Sequence, residues 1–234
     1  MPEKRKNDWE VIAMRYVAYI DIMGFKDMVA RKEPFEIYNI LEDAITVTNN
    51  ALKAQLTVKS NLTQFTTFSD SILIFSKDDS FDSLYSIIFN VSTITSNLLV
   101  KGIPHKGAIA YGNMAIDFKK SIFFGQPLID CYYLQDELLF YGIIVHGSIE
   151  EKIETILDAK KQPYLKSLIR DYKCPLKSGI PNHLTIFPMY ARLDSENFQA
   201  GKKQIEESLK KFRFETSGQL RKYVDNTVTY IKEA

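Results

Sequence analysis

Apolar runs and polar punctuation alternate along this chain at intervals that read as strands and helices in turn. Tyr16 to Ile22 is a continuous apolar run interrupted only by Asp21, the pattern of a central strand. Pro34 then opens a stretch with Phe35, Tyr38, Leu41 and Ile45 on one face, which predicts a helix. Leu62 to Phe68 and Ser71 to Phe75 flank Ser69-Asp70 and read as a hairpin with the aspartate at its tip. After the charged Lys77-Asp-Asp-Ser80, the positions of Leu84, Ile87, Ile88, Val91 and Ile94 predict a second helix. Pro104 to Tyr111 and Ser121 to Phe124 read as strands around Gly112, and Leu128 to Phe140 as a helix. The order β-α-β-β-α-β is an α+β, ferredoxin-like plan, with helices on one face of an antiparallel sheet and the first strand beside the hairpin. That plan makes Asp21 and Asp70 neighbours across the sheet.

Beyond this core, Ile143 to Val145 and His183 to Phe187 look like strands, with helical stretches between Ile149 and Tyr172. Leu220, Tyr223, Val224, Thr227, Val228 and Ile231 mark a terminal amphipathic helix. The organisation expected is a tail over 1–14, one domain over 15–190 and a helical extension of it over 191–234. With 45% hydrophobic and 25% charged residues in 234, the chain can bury a full core. Lysine plus arginine number 30 against 29 acidic residues, so a net charge of +1 gives no footprint for a nucleic-acid partner. The charged start, Met1 to Glu10, lacks the apolar core of a secretion signal, and no later apolar run looks long enough to span a bilayer. The expectation is a cytoplasmic protein with no membrane partner. Sequons at Asn61 and Asn90 would matter only in a secreted protein. Cys131 and Cys174 are too few for a disulfide framework and read as inert thiols, and His105, His146 and His183 lack zinc-site spacing.

The candidate chemistry lies in Asp21 and Asp70, each at the end of an apolar strand. A carboxylate there costs several kcal/mol if buried unpaired, so it needs a cation or strong donors. Two side by side would hold a divalent metal, and Gly24 followed by a helix would turn backbone N–H groups toward phosphate. Each residue has a plainer reading: Asp21 as a helix cap, Asp70 and Gly24 as turn residues, Lys106 as a solvated lysine.

Four segments in order, Asp21-Ile-Met-Gly-Phe25, Phe68-Ser-Asp-Ser-Ile-Leu-Ile-Phe75, Lys106-Gly-Ala-Ile-Ala-Tyr-Gly112 and Phe124-Gly-Gln-Pro-Leu-Ile-Asp-Cys-Tyr-Tyr-Leu134, resemble the signature blocks of class III nucleotide cyclases over roughly residues 15 to 140. Their wording is closest to the pyrimidine cyclases of the Pycsar anti-phage system. The resemblance implies that Asp21, Asp70 and the carbonyl of Ile22 hold two divalent ions, Mn²⁺ or Mg²⁺. It implies that Gly24 and Phe25 form a backbone cradle for phosphates and that Lys106 is a phosphate contact. It implies a head-to-tail homodimer with sites shared between subunits, and a separate effector protein activated by the cyclic nucleotide.

Aligned on that family, Thr66 stands where adenylate cyclases carry a base-reading lysine and Ile122 where they carry a base-reading aspartate. Ile129 and Tyr133 stand where purine cyclases carry a transition-state asparagine and arginine. Loss of polar readers removes the means of preferring a purine, so UTP or CTP is the implied substrate and 3′,5′-cyclic UMP or CMP the product. The alternatives are a catalytically degenerate member of the fold that binds nucleotide or a regulatory partner, and a diguanylate-cyclase-like or polymerase-palm relative, whose hairpin signature Ser69-Asp70-Ser71 does not provide. The Cys131-Tyr-Tyr133 run reads as core or dimer interface rather than a base-stacking platform.

Overall fold

The computed structural model describes residues 9–55, 62–160, 163–188 and 195–233, with side chains described at 9–46, 62–155, 165–188 and 199–233. The expected tail therefore lies outside the described residues up to residue 8, as do Asn61 and residues 191–194. In chain order the elements are β1 (Ile12–Ile22), α1 (Phe25–Arg31), α2 (Pro34–Gln55), β2 (Thr63–Phe68), β3 (Ser71–Ser76), α3 (Phe81–Val100), β4 (His105–Asp117), β5 (Ile122–Gly125), α4 (Gln126–Glu137), β6 (Gly142–Val145), α5 (Gly147–Lys160), α6 (Pro163–Ser167), β7 (Ile169–Lys173), β8 (Asn182–Ile186), α7 (Ser195–Glu215) and α8 (Gly218–Glu233). The strands form one sheet in the order β2-β3-β1-β4-β6-β8-β7, with β5 paired to β4 off that path. The segment β2-β3-β1-β4 is the expected ferredoxin-like core. Every pairing is antiparallel except that of β4 with β6, where α4 supplies the crossover a parallel pair requires.

Helices cover both faces of the sheet rather than one. Tyr16, Ala18, Ile20 and Ile22 of β1 face a core built with α3, α5 and α6. Successive strand residues point to opposite faces, and Val17 and Tyr19 are also apolar, so the second face needs cover too. There α4 lies against β1 and β4 over the small residues Ala108 and Ala110, close enough for the Cys131 thiol to reach the carbonyl of Val17 at 3.3 Å. Beside it α8 buries Tyr223, Val224, Thr227, Tyr230 and Ile231. The Thr227 hydroxyl accepts the Tyr141 N–H at 2.8 Å, and the Tyr230 hydroxyl donates to Thr185 at 3.0 Å.

Four local expectations need correction. The buried face of α2 is Ile37, Ile40, Leu41 and Ala44, while Phe35 and Tyr38 are exposed and stack on each other. The helix α4 ends at Glu137 rather than Phe140, because Leu138 turns extended and bridges Leu176. Ile169 to Lys173, expected as helix, is a strand whose charged residues suit its place at the sheet edge. Finally α3 is long and apolar enough to cross a bilayer by length and composition, but it is the buried central helix of the first core. Its N-terminus is capped by Ser80, whose side chain accepts the Ser83 N–H at 3.3 Å.

Candidate active site

Three connections converge at the C-terminal end of β1. Gly24 adopts φ 73°, a left-handed conformation that glycine takes without strain, and turns the chain from β1 into α1. The tip of the β2–β3 hairpin, with Ser69 at φ 54°, folds over the same end, and the Ile22 N–H donates to the Asp70 carbonyl at 2.8 Å. The Met23 N–H donates to Pro104 just before β4, at 2.9 Å. Asp21 is flanked in register by Ser71 on β3 and Lys106 on β4. The structure thus brings Asp21, Asp70, Ile22, Gly24, Phe25 and Lys106 to one end of the sheet. The Ile22 side chain is buried in the core, so Ile22 offers a ligand only main-chain atoms, and the Phe25 side chain is partly buried against the same core.

Burial is the main force holding the Asp21 carboxyl above its ordinary range, the charge of Asp70 adds to it, and Lys106 partly offsets both. Among the described ion pairs neither aspartate has a cationic partner. Two converging carboxylates, one of them disfavoured as an anion by burial and by the charge of the other, fit a divalent cation, which would offset that cost. No group of three or more His, Cys, Asp or Glu side chains assembles among the described residues, so such an ion would complete its shell from main-chain oxygen, water or substrate.

Lys106 is not the solvated lysine of the plainer reading. Its side chain is 7% exposed, and its Nζ lies 3.5 Å from Asp136 Oδ1 and 3.4 Å from the Asp136 carbonyl. Lys177 Nζ holds the other oxygen of Asp136 at 2.6 Å, and this bond chiefly sets the Asp136 carboxyl below the usual range. Asp136 and Lys177 escaped the sequence reading. They lie 41 positions apart, and no local pattern links them. Tyr19 was missed as well: it stands two residues before Asp21 on the same face, its hydroxyl 2.7 Å from Ser71 Oγ and its ring edge-on to Tyr132.

Thr66 sits in the adjoining cross-strand row, Thr66–Leu73–Tyr19–Ala108, on the face that carries Asp21. Ile122 does not join the group. It pairs with Asp117 at the far end of β4, whereas Asp21 pairs with Lys106, a span of about 35 Å along the strand. On α4, Ile129 and Tyr132 are half exposed and Tyr133 is 68% exposed, so these side chains are surface rather than core. His105 is fully buried with Nδ1 3.0 Å from the Ile103 carbonyl, while His146 contacts Ser148 and His183 lies near Glu150. Burial pushes both thiols up, that of Cys174 to about 12, which keeps them protonated and unreactive.

Among solved structures the chain is similar to the guanylate cyclase domain of RhGC from Catenaria anguillulae in complex with GTP, at 11% identity and TM-score 0.51, over 75% of this chain and 97% of that one. It is also similar to the catalytic core of a rhodopsin-guanylyl cyclase with converted specificity in complex with ATPαS, at 11% identity and TM-score 0.50, over 75% of this chain and 96% of that one. The fold is that of the class III nucleotide cyclase catalytic domain. No protein-family model and no curated protein matches the sequence. Both cyclase domains are matched almost whole, and each match leaves a quarter of this chain uncovered. Within the cyclase fold described here, α8 is no loose appendage, since Thr227 accepts the Tyr141 N–H and Tyr230 donates to Thr185 of the sheet.

Proposed function

We propose that the chain is a nucleotide cyclase that converts UTP or CTP into the 3′,5′-cyclic monophosphate and pyrophosphate. The observation that carries this reading is the convergence of Asp21 and Asp70 at the end of β1, locked together by the backbone bond from Ile22 to Asp70. Asp21, Asp70 and the main chain of Ile22 are the groups to hold two divalent ions, Mn²⁺ or Mg²⁺, whose chemistry is to acidify the ribose 3′-hydroxyl and neutralise charge on the phosphates. The reaction forms the bond from O3′ to the α-phosphorus and breaks the bond to the β-phosphate. Positioning and charge stabilisation therefore supply most of the rate. Gly24 turns the first N–H groups of α1 toward the phosphates, and Lys106 adds a positive charge at the same end.

Pyrimidine preference is supported by the residues at the base-reading positions, since neither Thr66 nor Ile122 offers the charged groups that read a purine edge. Because Asp21 and Ile122 lie at opposite ends of one sheet, a site that uses both draws them from two chains, which supports a head-to-tail homodimer. The role in anti-phage defence, with a separate effector that responds to the cyclic nucleotide in the cytoplasm, follows the motif resemblance. The competing reading, a nucleotide-binding protein without turnover, draws on Ile129 and Tyr133, which offer no carboxamide or guanidinium to the transition state. Incubation with each of the four ribonucleoside triphosphates and Mn²⁺, with products resolved by mass spectrometry, separates the two. Cyclic UMP or CMP is the expected product, a preference for ATP would overturn the pyrimidine assignment, and binding without product would leave the non-catalytic reading.

A further inference from the structure

Asp21 and Lys106 are cross-strand partners on one face of the sheet. Side chains so placed start about 4.5–5.5 Å apart at their β-carbons, well within the reach of a lysine. Yet the Lys106 ammonium pairs with Asp136, at 3.5 Å to Oδ1 and 3.4 Å to the main-chain oxygen. Asp136 is in turn fixed by Lys177 at 2.6 Å. Lys177 rides on the β7–β8 loop, which is clipped to the end of α4 by three bonds. The Lys177 N–H donates to the Glu137 carbonyl at 2.8 Å, Leu139 N–H to Pro175 at 2.9 Å, and Ser178 N–H to Glu137 Oε2 at 3.0 Å.

We propose that Asp136, anchored by Lys177, is a positioning residue that draws the Lys106 ammonium away from Asp21 and so keeps the Asp21–Asp70 pair open to a divalent cation. The inference rests on the reading of that pair as the cation site. A lysine ammonium on a side chain only 7% exposed is costly to leave without an anionic partner. With Asp136 neutralised, the carboxylate that faces Lys106 in register is Asp21. An ammonium there would cancel one of the two charges that attract the cation and would repel the cation itself.

The test is Mn²⁺ binding to the full chain, followed by the electron paramagnetic resonance signal of the free ion, for wild type, D136N, K177M, K106M and D136N/K106M. Asp136→Asn is expected to weaken Mn²⁺ binding about fivefold or more, the lower end of ordinary coupling between sites. Adding Lys106→Met to it is expected to restore binding to the wild-type level or beyond, because the competing ammonium is gone, and Lys177→Met is expected to fall between wild type and D136N. Wild-type binding by D136N overturns the proposal. So does a double variant as weak as D136N, which makes the loss one of local structure. A wild-type chain that binds no Mn²⁺ overturns the cation-site reading together with this one, whereas wild-type binding with an unaffected D136N overturns this one alone.

Discussion

Asp21 opposes the stability of the fold that holds it. Its carboxyl is held above the usual range by burial and by Asp70, so the ionised form is the disfavoured one in the folded state. At neutral pH that ionised group subtracts stability, and the subtraction fades as the pH falls through its folded-state value. Asp21→Asn, measured in EDTA, is therefore expected to raise Tm by degrees rather than tens of degrees while abolishing cyclisation, and to lose the Mn²⁺-dependent rise in Tm expected of wild type. An unchanged or lowered Tm would remove the electrostatic account of the site. His105 carries the opposite sign. Burial pushes its imidazole down to about 4, below the value of about 6.5 for an unfolded histidine, so the folded state keeps it neutral where the unfolded state protonates it. The stability this group supports is intact above about pH 6.5 and is lost as the pH falls from there toward 4, by roughly 3 kcal/mol in all. Urea unfolding at pH 7, 5.5 and 4.5 is expected to show that acid loss in wild type and a flatter profile in His105→Gln.

The elements differ in how far the sequence foretold them, for physical reasons. β1 and the β2–β3 hairpin were legible because an apolar run and two short runs around Ser69-Asp70 have few other ways to fold, and the hairpin carried Asp70 to Asp21 with them. β7 was not legible: an edge strand is protected by charge, so Arg170, Asp171 and Lys173 obscure its period. The helical cover of the second face was also hidden, since a strand apolar on both sides does not say which helix takes which face. The link from Lys106 to Asp136 and Lys177 depends on a loop docking against the end of α4, a contact with no sequence signature. The terminal amphipathic helix was foreseen, but not its bond to the sheet region, and that bond gives α8 a measurable weight. Thr227→Val leaves the buried Tyr141 N–H without its hydroxyl acceptor while preserving shape, and is expected to lower the unfolding free energy by about 1–3 kcal/mol in urea titration. A neutral outcome would mean that the Thr227–Tyr141 bond adds nothing net to the docking of α8.

At the scale of the whole molecule the decisive distance is that between the two ends of β4. Asp21 stands in register with Lys106 at one end, and Ile122 with Asp117 at the other, about 35 Å away. A single chain cannot bring both to one nucleotide, and a head-to-tail pair would form two sites, each with the aspartates of one chain and the β5 end of the other. Exposed Ile122 and Phe124 give that end an apolar surface to present. The arrangement predicts complementation between defective chains. On the proposed reading Asp21→Ala would lack the cation ligand and Ile122→Arg would block the base-facing end, so each homodimer would have two dead sites. When the two variants are unfolded together and refolded, half of the dimers are mixed, and each mixed dimer joins two intact halves in one site and two damaged halves in the other. Activity is then expected to return to about a quarter of wild type, with the same product. If the mixture stays inactive although size-exclusion chromatography shows that mixed dimers formed, the two ends do not serve a common site, and the shared-site dimer fails with them.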